Sequence, residues 1–231
     1  MPLDPRYRAV CFDMDGTLLL TKVDYVKMAN LVFDVFEELG VPESAIDRNE
    51  GYKFNIEGGC KWLIDNGRSA ELYTIQGKIA NLARDVEMEF VDEAKPVPGI
   101  IDILCDLKNQ GYKIGVLTRG CREYAETALK ICEVYDILDG IVARDDYPEE
   151  EAKPAPIAMK HIADDIGVKP EEILFFGDHT FDYYCARDSG AGFIGVLTGT
   201  LNRDDWYKID KEMIIFEDVS ELGKLLWDAS V

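Results

Sequence analysis

Histidine is scarce. With only His161 and His179 available, no serine–histidine relay is apparent. The six cysteines, at 11, 60, 105, 121, 132 and 185, never form a Cys-x-x-Cys pair, which argues against both zinc ligation and disulfide staples. Contexts such as Val10-Cys11-Phe12 and Leu104-Cys105-Asp106 read instead as buried, reduced thiols. Cys121 has no arginine six residues on, so it does not open a cysteine-phosphatase loop. No run of eighteen apolar residues occurs, and no membrane span is expected. The opening Met-Pro-Leu-Asp-Pro-Arg lacks an apolar signal core, so a cytoplasmic chain is expected. Positive charge is also short: 25 Lys and Arg against 45 Asp and Glu leave a net charge of −20. Nucleic acid and anionic membranes would be repelled over a Debye length or more, so neither is expected as a partner. Repeats and low-complexity segments are absent.

At 231 residues and 47% hydrophobic, the chain can bury a substantial core. From residue 97 onward, strands and helices alternate: helix 100–110 stopped by Gly111, strand 112–118, helix 121–133, strand 139–144, helix 155–166 ended by Gly167, strand 172–177, helix 180–188 and strand 193–197. An apolar piece at 213–216 and a last helix near 219–229 follow. Such alternation predicts an α/β fold, a parallel sheet with helices on both faces. Residues 20–94 differ, carrying helical periodicity without a convincing strand. Val26, Leu31, Val32, Val35, Phe36 and Leu39 form one apolar face ended by Gly40, and Leu72, Ile75, Ile79, Leu82 and Val86 form another.

The segment Ala9-Val10-Cys11-Phe12-Asp13-Met14-Asp15-Gly16-Thr17-Leu18 is the most informative. An apolar, strand-like run ends in two aspartates and a Gly-Thr turn, and the carboxyl end of a parallel strand faces the usual ligand crevice. Two apart on an extended chain, Asp13 and Asp15 are expected to point the same way. Like charges that close are costly unless a cation sits between them or one takes a proton. This is not an EF-hand, because the glycine arrives two positions too early. Gly190-Ala191-Gly192-Phe193-Ile194-Gly195 has dinucleotide-fingerprint spacing but leads into a strand, where the fingerprint must follow one and open a helix.

Asp13-Met14-Asp15-Gly16-Thr17-Leu18 resembles the first signature of the haloacid dehalogenase-like superfamily, mostly magnesium-dependent phosphatases. Three further signatures appear in order. Ile114-Gly115-Val116-Leu117-Thr118-Arg119 is similar to the second, Lys153-Pro154-Ala155-Pro156 to the third, and Phe175-Phe176-Gly177-Asp178-His179-Thr180-Phe181-Asp182 to the fourth. The resemblance implies a Rossmann-like sheet of order 5-4-1-2-3 with a small inserted α-helical cap. The catalytic core is then 1–19 with 95–231, and the cap is 20–94, with hinges near 19–22 and 94–98. It implies Asp13 as nucleophile forming an aspartyl-phosphate, and Asp15 as general acid and base. Mg2+ would be held by the Asp13 carboxylate, the Asp15 backbone carbonyl and the Asp178 carboxylate. Phosphate would be bound by Thr118, Lys153 and the backbone amides of Met14, Asp15, Gly16 and Arg119. Asp182 would act behind the metal, holding Lys153 or a metal-bound water.

Two positions depart from the family pattern. Arg119 stands where Asn is frequent, and either adds a phosphate or substrate-carboxylate contact or points to solvent. His179 stands where a small hydroxyl residue is common, and either tunes Asp178, reaches substrate or is a partly buried, satisfied histidine. In the inserted segment, the Gly pair of Tyr52-Lys53-Phe54-Asn55-Ile56-Glu57-Gly58-Gly59-Cys60 suggests a turn that presents Lys53 or Glu57 to substrate, or a plain interhelical loop; Arg68 is a further candidate. The expected activity is hydrolysis of a small phosphorylated metabolite, as in phosphoglycolate phosphatase-type enzymes. The alternatives are a β-phosphoglucomutase-type phosphomutase and a non-catalytic binding module on the same fold. A dehalogenase is disfavoured because those relatives lack a second aspartate. A phosphonatase is less favoured because neither Lys53 nor Lys61 is assigned as a Schiff-base lysine.

Overall fold

The computed structural model describes residues 3–227. Eight strands follow in chain order: β1 (Ala9–Phe12), β2 (Leu19–Leu20), β3 (Lys95–Pro96), β4 (Lys113–Leu117), β5 (Gly140–Val142), β6 (Ile173–Gly177), β7 (Gly192–Val196) and β8 (Ile215–Phe216). The helices are α1 (Tyr25–Glu38), α2 (Tyr52–Asp65), α3 (Leu72–Met88), α4 (Ile100–Asn109), α5 (Arg122–Ile131), α6 (Pro156–Ile166), α7 (Thr180–Ser189), α8 (Arg203–Ile209) and α9 (Leu222–Trp227). The chain divides into two compact units, Met1–Thr21 with Asp92–Val231, and Lys22–Val91.

In the first unit, every residue of β1 is fully buried, because a strand apolar on both faces needs cover on both. It lies between β4 and β6, pairing parallel with each, with Phe12 opposite Val116 on one side and Phe176 on the other. The whole sheet is parallel, in the order β5-β4-β1-β6-β7-β8. Counted along its own strands this is 3-2-1-4-5-6, the expected 5-4-1-2-3 arrangement with one strand added at an edge. The added strand, β8, lies in the apolar piece at 213–216. Helices α6 and α7 cover one face, where Met159, Ile162, Cys185 and Ala186 pack on Ala9, Cys11, Ile173 and Phe175. Helix α4 packs on β4 and against α9, burying Ile100, Ile103, Leu104 and Leu107. The antiparallel β2–β3 pair, Leu19 opposite Pro96 and Leu20 opposite Lys95, ties the two crossings into and out of the insertion.

Several sequence expectations need correction. Helix α8 was not foreseen; it is short, capped by Asn202, and exists to bury Trp206 against Met213, Ile215 and Phe193. The last helix is described as far as Trp227, and the rest of the expected helix to 229 lies outside the described residues. Cys105 is exposed, because helical rotation turns Ile103, Leu104 and Leu107 inward and the position after Leu104 outward. Cys11, Cys121, Cys132 and Cys185 are buried, and all six thiols are free. Among the described residues no helix is long and apolar enough to cross a membrane.

The second unit packs three helices around an apolar cluster of Val32, Phe33, Val35, Phe36, Leu63, Ile75 and Ile79, with Met28, Ala83 and Val86 forming a second. Val26 is 73% exposed, whereas Phe33, left out of the sequence face, is buried. The segment from Tyr52 is not a turn but the body of α2. Its glycines are there for contact between elements. A Cβ at Gly58 would overlap the Ala45 carbonyl, and one at Gly59 would enter the Phe36 ring. Lys53 pairs with Glu57 one turn along the same helix at 3.5 Å. Arg68 donates to the Leu39 carbonyl at 2.7 Å and forks onto Glu71, closing the C-terminal end of α1.

Candidate active site

Parallel pairing brings the carboxyl ends of β1, β4 and β6 to one edge, and each strand delivers a polar residue there: Asp13 after Phe12, Thr118 after Leu117, and Asp178 after Gly177. The segment between β5 and α6 adds Lys153, and the first turn of α7 adds Asp182. Asp13, Thr118, Lys153 and Asp182 are all at least 90% buried, an unusual concentration of polar groups in one place. The Lys153 ammonium donates to Asp13 Oδ1 at 2.5 Å and to Asp182 Oδ1 at 2.6 Å. Asp182 is fixed at its other oxygen by the His179 N–H at 3.0 Å, so the same residue closes the N-terminal turn of α7 and anchors the lysine. Gly177 has no side chain because a Cβ there would collide with Asp182.

Carboxylate oxygens of Asp13, Asp178 and Asp182 lie within 4.8 Å of one another. Asp178 Oδ1 accepts the Thr17 hydroxyl at 3.2 Å. Asp15 does not join this cluster. Its Oδ1 accepts hydroxyls from Tyr124 at 2.5 Å and Thr21 at 2.7 Å. β1 ends at Phe12, and residues 13–19 fold into a turn closed on the Met14 carbonyl by the amides of Leu18 and Leu19, so this turn and not strand alternation sets Asp15, whose charge still acts on Asp13. The period-two rule holds only while the chain stays extended. The Gly16 amide, expected to bind phosphate, donates to the Leu19 carbonyl at 2.9 Å and so closes this turn. Gly16 itself is required there: φ is +75°, and a Cβ would stand 2.8 Å from Asp178 Oδ2. Thr118 Oγ1 accepts the Gly120 N–H at 2.9 Å. Arg119 is turned onto protein atoms, and His179 is exposed, its Nδ1 accepting the Phe181 N–H at 3.1 Å as a helix cap.

A family profile described as haloacid dehalogenase-like hydrolase matches residues 10–196, the span from β1 to the end of β7. The chain is a haloacid dehalogenase-like hydrolase. Among curated relatives, the phosphoglycolate phosphatase of Nitrosospira multiformis is 25% identical over 229 residues, covering 96% of this chain and 97% of that protein. Pyrophosphatase PpaX of Bacillus cereus is 29% identical over 165 residues, 71% of this chain and 72% of its own. A crystallised hydrolase from Pseudomonas syringae shares the fold with a TM-score of 0.63 at 21% identity, covering 95% of this chain and 98% of that one.

Burial dominates the electrostatics of this haloacid dehalogenase-like hydrolase. It pushes Asp13 well above the ordinary carboxylate range; Lys153 opposes the shift, while Asp182, Asp178 and more weakly Asp15 add to it. Asp178 is raised to about 7, by burial first and then by repulsion from Asp182. Burial alone would depress Lys153, but Asp13 and Asp182 together raise it, so the ammonium stays charged. Three carboxylates around one lysine leave uncompensated negative charge on hard oxygen donors. That donor set fits a small divalent cation: Asp182 has both oxygens held, by Lys153 and the His179 amide, whereas Asp13 gives only Oδ1 to the lysine and Asp178 accepts the Thr17 hydroxyl.

Sequence reading missed four contributors. Thr17 could have been found, since it follows the glycine of the first signature. Thr21, Tyr124 and Gly199 carry no local signal: Tyr124 lies 109 positions from Asp15, and Gly199 is set by a Cβ that would overlap Asp178. Lys53, Glu57 and Arg68 belong to the helical unit, where Lys53 pairs with Glu57 and Arg68 donates to Glu71 and the Leu39 carbonyl.

Proposed function

We propose that this hydrolase is a magnesium-dependent phosphatase of a small phosphorylated metabolite, of the phosphoglycolate phosphatase type. The observation that carries the reading is the buried lysine bridge: Lys153 joins Asp13 to Asp182 at 2.5 and 2.6 Å, beside the uncompensated Asp178. Asp13 attacks phosphorus through its carboxylate and carries the phosphoryl group as an aspartyl-phosphate until water releases it. Lys153 orients that carboxylate and neutralises phosphoryl oxygens as charge develops on them. Thr118, at the end of β4, and the amides of Met14, Asp15 and Arg119 are assigned to the phosphate. Asp15 protonates the leaving oxygen and then takes a proton from the attacking water, its carboxylate held ready by Tyr124 and Thr21. Asp13, the Asp15 backbone carbonyl and Asp178 are assigned to Mg2+, which supplies the charge neutralisation that lets a phosphate approach so acidic a site. Asp182 keeps its place behind them through Lys153.

The helical segment inserted after the first signature is proposed to be the specificity element, with the cap boundaries read from sequence at 20–94. The reading further places the protein in the cytoplasm, in keeping with six free thiols. The test is phosphate release from a panel containing phosphoglycolate, inorganic pyrophosphate, sugar phosphates and p-nitrophenyl phosphate, with magnesium and after chelation. Magnesium-dependent release from a small phosphomonoester is expected. Release undiminished by thorough chelation, or isomerisation of a sugar phosphate with no net phosphate release, would overturn the reading.

A further inference from the structure

Arg119 follows Thr118 at the carboxyl end of β4, and its side chain is 13% exposed. The guanidinium donates through one amine to the backbone carbonyl of Lys153 at 2.6 Å and through the other to Glu149 Oε1 at 2.6 Å. Its plane lies 5.7 Å from the ring centre of Phe181, in the first turn of α7. The Arg119 carbonyl in turn accepts Arg144 at 3.0 Å. One planar cation therefore joins β4, the segment 149–153 and α7, and it grips the very peptide whose side chain reaches Asp13.

We infer that Arg119 is a positioning residue for the reaction, setting where the Lys153 ammonium stands relative to Asp13. Segment 149–153 is a short turn ahead of α6, with no sheet ladder of its own to place it. Besides the bonds of the Lys153 ammonium to Asp13 and Asp182, two side-chain ties hold it among the described residues. Arg119 grips Glu149 and the Lys153 carbonyl, while Glu151 meets His161 of α6 at 2.6 Å, with Tyr147 stacked flat on that imidazole at 3.5 Å. The second tie acts at Glu151, two residues before the lysine; Arg119 acts on Lys153 itself. An ammonium on a flexible four-carbon stem has no fixed direction of its own, so where it stands depends on where the Lys153 backbone is held. The fork geometry of Arg also matters, because two acceptors at a fixed spacing are reached without further loss of freedom.

This inference rests on the phosphatase reading, and its test separates the two. With p-nitrophenyl phosphate, which has no carboxylate to bind, Arg119→Ala should lower kcat about 10²-fold while KM changes by less than about threefold, as for a misplaced catalytic group. Arg119→Lys, which keeps one arm of the fork, should recover part of the loss, and Glu149→Gln should show a smaller loss of the same kind. Combining Arg119→Ala with Lys153→Ala should be no worse than Lys153→Ala alone, since both act through the one ammonium. Amide exchange across 149–153 should be faster in Arg119→Ala than in the parent protein, a readout that needs no turnover. A raised KM with intact kcat would mean that Arg119 contacts substrate, and unchanged kinetics in a folded variant would leave it a structural tie; either overturns the inference. Unchanged exchange across 149–153 does so as well. If the parent protein releases no phosphate, the phosphatase reading falls and exchange alone decides the clamp.

Discussion

The two units bury polarity in opposite ways. In the α/β unit, Asp13, Lys153 and Asp182 are charged groups withdrawn from water at a single place, and burial there pushes Asp13 and neighbouring Asp178 upward. In the helical unit, buried Asn55 instead closes a turn, its amide exchanging hydrogen bonds of 2.8 and 3.0 Å with the Asp47 backbone. Its ion pairs, such as Lys53 with Glu57, lie at the surface. The helical unit also buries the Glu87 carboxylate in α3, but among the described residues only the α/β unit gathers several charged groups out of water together, a cost that packing alone does not require. Where a fold tolerates such a cost, chemistry is the usual reason.

That contrast can be broken most decisively at the nucleophile. Asp13→Asn should lower phosphatase turnover roughly 10⁴-fold or more, with the circular dichroism spectrum retained. A variant that turned over normally, with contaminants excluded, would leave the buried charge without a purpose. Next in size, Lys153→Met removes the ammonium from between Asp13 and Asp182 and should cost about 3–5 kcal/mol of unfolding free energy near pH 8. The parallel change in the helical unit, Lys53→Met, should stay within about 0.5 kcal/mol. Equal losses measured by denaturant titration would erase the distinction between the units.

Acidity sharpens the comparison further. Asp178 is raised to about 7 from its ordinary 3.8. Between those values the metal-free fold holds a proton that the unfolded chain has released, so stability falls as pH rises and the loss is complete above about pH 7. The effect is on the order of a few kcal/mol. Metal-free melting temperatures should be lower at pH 8 than at pH 5.5, the slope should flatten in Asp178→Asn, and magnesium should stabilise more at pH 8. A metal-free protein more stable at pH 8, or an Asp178→Asn variant with the slope unchanged, would contradict this.

Two glycine changes probe packing inside the helical unit. Gly59→Ala should destabilise by about 1–3 kcal/mol, because the new methyl enters the Phe36 ring. Gly77→Ala in α3, with open space around it, should instead stabilise by up to about 1 kcal/mol, the ordinary helical preference. Thermal melts of the pair check this, and two changes of the same sign would mean that α1 and α2 are packed differently.

The same asymmetry governs what could be read from the chain. The α/β unit was legible because its chemistry sits at strand ends, and a strand end is local in sequence: Asp13, Thr118 and Asp178 each follow an apolar run directly. The strand order followed from the resemblance, and the edge strand β8 escaped because two residues carry no periodicity. Strand alternation could not place Asp15, because the chain turns after Phe12. The helical unit was less legible. Gly58 and Gly59 look like turn residues, yet they serve close approach by Ala45 and Phe36, and contact between elements leaves no mark at the glycine itself. Tyr124 and Arg119 illustrate the same limit within the site, since their partners are 109 and 34 residues away.

The two glycine turns around Asp178 have a consequence for cation capture. Gly16 and Gly199 press on the same carboxylate from the turns after β1 and β7, and the Thr198 hydroxyl donates to the Gly16 carbonyl, joining those turns. Asp178 is thus confined by backbone walls, with Thr17 as its side-chain tether. A flexible acidic side chain must surrender rotational freedom when it seizes an ion, whereas one already confined has little left to surrender. Folding of the sheet, and not arrival of the proposed cation, would therefore meet the ordering cost at Asp178.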